Sequence, residues 1–196
     1  MQLLCTVYIV ALNVILAGFS DATVTVLGLY YKVQTFFFIP LMGLQQVIVP
    51  IISFNYGAQN HKRVSDTLKY AIMASNMVMI LGTVIFLAFP AELISIFSVS
   101  PSILNIGIPA LQIISISFVP ASFSMMFTVY FQGMNQGRYS IFITVLRQII
   151  LLVPLAWLFH FAGVNYVWLT FPVTEIIAMC FCFFLFQRKA YNLSLR

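Results

Sequence analysis

The chain has 196 residues, of which 62% are hydrophobic and only 7% are charged, with a formal net charge of +5. A soluble domain carries about a quarter charged residues to keep its surface wetted, so this composition excludes a soluble globule and predicts a surface that faces lipid. The positive charge does not indicate a nucleic-acid-binding protein, because the basic residues lie in short clusters between apolar runs and no nucleic-acid-binding motif accompanies them.

Six apolar segments follow one another along the chain, each long enough to cross a hydrocarbon core of about 30 Å. They predict an all-α, polytopic membrane protein that forms one domain over residues 1–196. No Lys or Arg precedes the first segment, so we interpret it as a membrane helix and not as a signal peptide. The predicted helices cover residues 3–20, 27–53, 70–89, 103–131, 139–159 and 166–186.

The distribution of basic residues predicts the orientation. If the N-terminus is cytoplasmic, the connections on the outer side contain no Lys or Arg and carry Asp21 and Glu92. The positive-inside rule therefore predicts a multi-pass protein of the plasma membrane with both termini in the cytoplasm. The basic residues then on the inner side are Lys62, Arg63, Lys69, Arg138, Arg188, Lys189 and Arg196.

The segment 59–69 between the second and third apolar runs has the spacing of a short helix at the inner membrane surface. Lys62, Asp66 and Lys69 recur at intervals of four and three residues, which places them on one helix face. With Arg63, these side chains are expected to reach toward lipid headgroups and to set the depth of the helix in the bilayer.

Six prolines lie in or near the apolar segments. An interior proline removes a backbone hydrogen bond and clashes with the preceding turn, so we expect a kink at each one. Kinks that serve packing are the simpler interpretation, since proline is frequent in membrane helices, and hinges in moving helices are the alternative. The residues are Pro40, Pro50, Pro109, Pro120, Pro154 and Pro172.

Arg147 and Glu175 lie inside the last two apolar segments, where an unpaired charge costs at least about 2.5–3.5 kcal/mol. Counted from a turn near residues 162–163, both lie about 18–22 Å deep at 1.5 Å per residue. Helices joined by so short a connection are normally antiparallel neighbours. We therefore predict an intramembrane ion pair whose role is structural, with proton or cation exchange at Glu175 as the functional alternative.

Lys32 is the third ionisable residue within an apolar run, and no carboxylate is evident at its depth. It lies about 16 Å from Asp21 along a helix, too far for its side chain to reach the surface. We expect Lys32 to line a water-filled cavity with Tyr31 and Gln34.

Gln45 and Met125 are further candidates for the wall of that cavity. Glutamines usually form hydrogen bonds between membrane helices, and methionines form adaptable apolar surfaces. The three cysteines, Cys5, Cys180 and Cys182, lie in apolar runs without metal-site spacing. We expect no disulfide framework, metal site or cofactor, and the scarcity of polar residues argues against an enzyme.

Several motifs, in this order, resemble those of the multidrug and toxic compound extrusion (MATE) transporters. Family members carry a glycine–aromatic–basic–x–Gln–x–aromatic run, a P-x-x-G-L step and an asparagine–aromatic–Gly–Ala ending. The corresponding segments here are 28–36, 40–44 with Pro50, and 54–58, and segments 131–133 with 137–138 and 171–172 with Glu175 also fit the later helices of the family.

The resemblance implies one lobe, the C-terminal one, of a twelve-helix transporter. Such proteins export cationic or amphipathic molecules by alternating access in exchange for H⁺ or Na⁺. Some members place coupling carboxylates in the first and fourth helices of this lobe, but segments 3–20 and 103–131 contain no Asp or Glu. The coupling ion is therefore expected to bind in the missing half of the transporter. The partner of this chain is expected to be a missing N-terminal lobe or a second copy of the chain.

Two other functions stay open at this point. A lipid-linked saccharide flippase of the same superfamily has a similar lobe but a more cationic cavity, which the single cluster around Lys32 disfavours. A truncated lobe that only binds a partner would not transport at all.

Overall fold

The computed structural model describes residues 2–97 and 100–194, and the side chains of residues 6–97 and 100–188. The described residues are almost entirely helical, as predicted, and contain no strand. Nine α-helices and one π-helical segment, residues 146–151, follow one another in the described part of the chain. The helices are α1 (Gln2–Ala17), α2 (Asp21–Gly57), α3 (His61–Ala88), α4 (Pro90–Ser95), α5 (Pro101–Ser115), α6 (Phe118–Gly133), α7 (Gly137–Val145), α8 (Leu152–His160) and α9 (Val164–Ser194).

Among the described residues, four or five of the six predicted segments correspond to helices that could cross a membrane. Four described stretches are long and apolar enough by themselves, namely α2, α3, α7 through α8, and α9 up to Arg188. Helices α5 and α6 form a fifth span if they are counted together across a bend of 47°. The described apolar part of α1, Thr6–Ala17, is shorter than a span needs. The chain is therefore a multi-pass helical membrane protein with up to five candidate spans among its described residues.

The predicted separate helix over residues 59–69 is wrong. Its residues from His61 onward form the first turns of α3, which continues without a break to Ala88. Asn60 caps this helix, since its Oδ1 accepts a hydrogen bond from the backbone N–H of Arg63 at 3.1 Å. The buried side chains of Val64 and Leu68 begin an apolar stripe that runs on into the membrane-spanning part of α3.

The break between α5 and α6 divides the segment predicted as one helix over residues 103–131. Pro120 lies just after the break and cannot donate a hydrogen bond to the carbonyl of Ile116. The carbonyl of Ser115 lies 3.2 Å from the hydroxyl of Thr83 on α3. The same hydroxyl lies 2.8 Å from the carbonyl of Met79 in its own helix, so its single hydrogen has two acceptors, one of them at the break.

The π-helical segment 146–151 interrupts the predicted helix over residues 139–159. Pro154 follows it within the first turn of α8, and its ring disfavours a regular α-helical turn around the carbonyl of Ile150. A π-helical turn widens the helix and changes the direction in which its side chains project. This segment carries Arg147.

Packing divides the buried apolar side chains into two clusters. The larger includes Leu12 and Trp168, both with 0% exposure, and the smaller joins α2, α3, α6 and α9 around Phe131. In the smaller cluster α6 approaches α2 at Gly133, where a Cβ atom would lie only 2.7–2.8 Å from Ile52. Small residues permit such close contact between membrane helices.

The described cysteines form no disulfide. Cys180 is exposed and Cys182 is buried, and both are free. The side chain of Cys5 lies outside the described residues, as do the side chain of Lys189 and residue Arg196.

Candidate functional site

One cavity of about 430 Å³ lies between α1, α2, α6, α9 and the π-helical segment. This size is typical of a pocket for a small molecule. Its α2 wall follows helical spacing, because Tyr31, Gln34, Phe38 and Met42 recur every three or four residues. The sequence of α2 therefore places aromatic, amide and thioether groups along a single face of the cavity.

Aromatic rings make up much of this wall. The ring centroids of Tyr8 and Tyr31 are 6.5 Å apart, those of Tyr30 and Tyr31 are 5.2 Å apart, and those of Tyr30 and Phe171 are 5.6 Å apart. These separations are typical of favourable aromatic pairs. The stack connects α1, α2 and α9, and it gives the cavity a firm apolar surface.

The predicted ion pair is present. The Nε atom of Arg147 lies 3.5 Å from Oε1 of Glu175, and the side chains are 19% and 16% exposed. Gly163, with a φ of +122°, lies in the turn that reverses the chain between α8 and α9. The short turn makes these helices antiparallel neighbours and brings the two charges to the same depth, which is the geometry that residue counting predicted.

A third side chain, which the sequence did not reveal, completes this charged group. The Oγ atom of Ser124 lies 3.0 Å from Oε2 of Glu175 and accepts a hydrogen bond of 3.3 Å from Nη1 of Arg147. The same hydroxyl lies 3.0 Å from the carbonyl of Ala121 in its own helix. Because serines in apolar helices commonly bond to their own backbone, nothing in the sequence indicates that Ser124 also joins α6 to α9.

The ion pair belongs to the cavity, because both of its members contribute to the cavity lining together with Gln148 and Thr174. The described lining residues contain no other Asp, Glu, Lys or Arg. The charges contributed by this chain therefore balance, and the remaining lining is aromatic, aliphatic or neutral and polar.

Three of the predicted cavity residues, Tyr31, Gln34 and Met125, lie in the lining. Their contact with a substrate stays a prediction. Gln45 is half-buried and lies outside the cavity. It lies about one helical turn beyond Met42, which is the last residue of α2 in the lining.

Lys32 does not contribute to the lining of this cavity, and its place in a water-filled cavity stays a prediction. Its side chain is exposed on another face of α2, and its Nζ atom lies 5.8 Å from the ring centroid of Phe97. Helix α2 has 37 residues and a length of about 55 Å, which exceeds the hydrocarbon thickness, so the distance of Lys32 from Asp21 along the helix does not by itself give its depth in the bilayer. Phe97 follows α4 in the connection to α5, so Lys32 lies level with this connection.

The basic side chains predicted at the membrane surface lie around the start of α3. Lys62, Arg63 and Lys69 are all exposed, and so is Asp66 between them. Their contact with lipid headgroups stays a prediction.

The chain is similar in sequence to known transporters over most of its length. The chain is 25% identical to the multidrug export protein MepA of Staphylococcus haemolyticus over 188 residues, which are 94% of this chain and 40% of that protein. It is also 25% identical to an FAD transporter of Shewanella oneidensis over 177 residues, 88% of this chain and 38% of that protein. The chain thus spans about 40% of the length of these relatives.

Solved structures show the same fold. A MATE protein in the straight conformation superposes with a TM-score of 0.93 at 21% identity, over 100% of this chain and 44% of that chain. A MOP superfamily transporter from Pyrococcus furiosus gives a TM-score of 0.91 at 21% identity, over 98% and 44% of the two chains. The family model for MatE matches residues 1–158. Since this match covers most of the sequence and agrees with the helical fold, the chain belongs to the MatE family.

Proposed function

We propose that this chain forms one lobe of a secondary active exporter that moves amphipathic or cationic small molecules out of the cell by alternating access, driven by H⁺ or Na⁺. The observation that carries the proposal is the cavity of about 430 Å³, with its aromatic wall and its single pair of opposite charges. Membership of the MatE family and the similarity to a multidrug export protein support it.

The proposal requires a second lobe, supplied by an N-terminal half or by a second copy of the chain. The relatives are more than twice as long as the matched region, which supports a larger complete transporter. At the cavity, Ile39 and Met42 on α2 are 58% and 54% exposed, and outside its lining Val10 and Val14 on α1 are 56% and 69% exposed. An apolar surface of this kind suits contact with lipid or with another lobe.

We propose that the coupling ion binds mainly outside this lobe. Among the described lining residues, Glu175 is the one side chain with a carboxylate. Arg147 balances its charge, and the hydroxyl of Ser124 lies 3.0 Å from its Oε2 atom. A carboxylate with an internal counter-ion is a weak site for a second cation until that partner moves.

Transport assays test the function directly. Efflux-deficient bacteria that produce the complete natural protein containing this chain are expected to export ethidium, and collapse of the ion gradient is expected to stop export. Cells with an empty vector provide the control. If the cells retain as much ethidium as the empty-vector cells but translocate a lipid-linked saccharide, the protein is a flippase instead. If well-expressed protein shows neither activity, a non-transporting lobe is favoured.

The proposed orientation places both termini of this chain in the cytoplasm, which requires α1 as a sixth crossing beside the five candidate spans. The exposed basic residues Lys62 and Arg63 at the α2–α3 connection support it. Green fluorescent protein fused after residue 196 should fluoresce, because it matures in the cytoplasm, whereas alkaline phosphatase fused at the same position should be inactive. The opposite pattern would reverse the topology.

A further inference from the structure

Glu175 is held in place by an uncharged neighbour as well as by its counter-ion. Oε2 lies 3.0 Å from the hydroxyl of Ser124, whereas Oε1 faces Nε of Arg147 at a longer distance of 3.5 Å. Glu175 is 16% exposed and contributes to the cavity lining. A ligand in the cavity can therefore approach the carboxylate while Ser124 continues to orient it.

Arg147 is the more easily displaced member of the pair. Its contacts within this group are the 3.5 Å approach to Glu175 and a 3.3 Å hydrogen bond to Ser124, both longer than the 2.7–2.9 Å typical of strong charge-assisted hydrogen bonds. It extends from the π-helical segment 146–151, where the backbone hydrogen bonding departs from the α-helical pattern. Its long side chain is 19% exposed and borders the cavity, which provides space for movement.

The cavity wall next to this pair suits a flat organic cation. Tyr8, Tyr31, Phe38 and Phe171 all line it. Aromatic faces attract cations within about 6 Å, and the attraction is greater where water is excluded. A positively charged aromatic molecule could stack on this wall and direct its charge toward Glu175.

We propose that Arg147 is an internal competitor for the ligand site, and that an aromatic monocation binds by replacing the guanidinium of Arg147 at Glu175. In the empty cavity Arg147 neutralises the carboxylate, and in the occupied cavity the ligand does so. Release of the ligand is then assisted by the return of Arg147. This inference rests on the proposed export function, and it assigns the recognition of charged substrates to this lobe.

A purely structural ion pair makes the opposite prediction for the loss of Arg147. If the pair only docks α9 against the π-helical segment, Arg147→Gln should damage the cavity and weaken every ligand. If Arg147 competes with the ligand, the same substitution should strengthen the binding of a cation selectively, because the carboxylate is left without its internal partner.

The test measures dissociation constants on the complete natural protein in lipid nanodiscs. Ethidium serves as the aromatic monocation and N-phenyl-1-naphthylamine as a neutral aromatic probe. We expect Arg147→Gln to bind ethidium at least about tenfold more tightly, and Glu175→Gln to bind it at least about tenfold more weakly, as is typical of close charge pairs. The neutral probe should change little. Lys69→Gln, which removes an exposed cation near the start of α3 and outside the cavity lining, should leave both constants unchanged.

Folding is monitored in the same samples by thermal unfolding with and without ethidium. Ethidium should restore any stability that Arg147→Gln loses, since the ligand supplies the missing positive charge. Weaker binding of both probes in Arg147→Gln, unchanged ethidium affinity in Glu175→Gln, or a variant that ethidium does not stabilise would each overturn the inference. Failure of the unsubstituted protein to bind either probe would instead contradict the proposed export function.

Discussion

Replacing Glu175 with leucine is expected to lower the free energy of unfolding by about 3 kcal/mol, and by up to about 5 kcal/mol. The substitution leaves the guanidinium of Arg147, 19% exposed, without its counter-ion. Combining Glu175→Leu with Arg147→Met should recover much of this loss, because two apolar side chains then replace the pair. Unfolding in detergent, followed by tryptophan fluorescence, measures the single variants and the combination.

The hydrogen-bonding partner supplies the control for this comparison. Ser124→Ala removes a neutral group from the same site. It should lower the free energy of unfolding by about 1 kcal/mol, because the two charges still face each other. If the two charge substitutions were simply additive, the side chains would not be coupled energetically. A structural role for the pair would then have no support.

Replacing Gly133 with alanine is expected to lower the free energy of unfolding by about 1–3 kcal/mol. The new Cβ atom would lie 2.8 Å from Cβ of Ile52 and 3.1 Å from the carbonyl oxygen of Val49. Both of these atoms are fixed by the backbone of α2, so α2 and α6 would have to separate. The same unfolding measurement in detergent detects the loss.

Gly43 in α2 provides the matched control. A Cβ atom there would meet nothing within 4 Å. Gly43→Ala should leave stability unchanged or raise it by up to about 1 kcal/mol, because alanine favours a helix more than glycine does. An equal effect of both substitutions would mean that contact between α2 and α6 does not limit the size of residue 133.

Much of the fold could be predicted from the distribution of apolar and charged residues. The apolar segments correspond to the described helices, because a chain with so few charges must satisfy its backbone through helical hydrogen bonds in lipid. Helix ends and interruptions were less predictable. The continuation of α3 through residues 61–69 depends on the cap at Asn60 and on the burial of Val64, and neither follows from the polar character of that segment.

The site was predicted in part. Tyr31 and Gln34 could be placed together because both lie near one face of α2. Lys32 could not be placed, because its position depends on how far α2 extends beyond the membrane and on the location of Phe97. The role of Ser124 could not be predicted. In sequence, a serine that joins two apolar helices cannot be distinguished from one that bonds only to its own backbone.

The sequence by itself determined that the chain is a helical membrane protein and that Arg147 pairs with Glu175. The physical reason is that an isolated charge in lipid costs too much free energy, and the short α8–α9 turn sets both residues at equal depth. Tertiary structure alone decided that this pair faces a cavity with Ser124 as its third member. That outcome depends on the π-helical turn at residues 146–151 and on the packing of α6 against α9. The packing brings together residues that are far apart in the sequence.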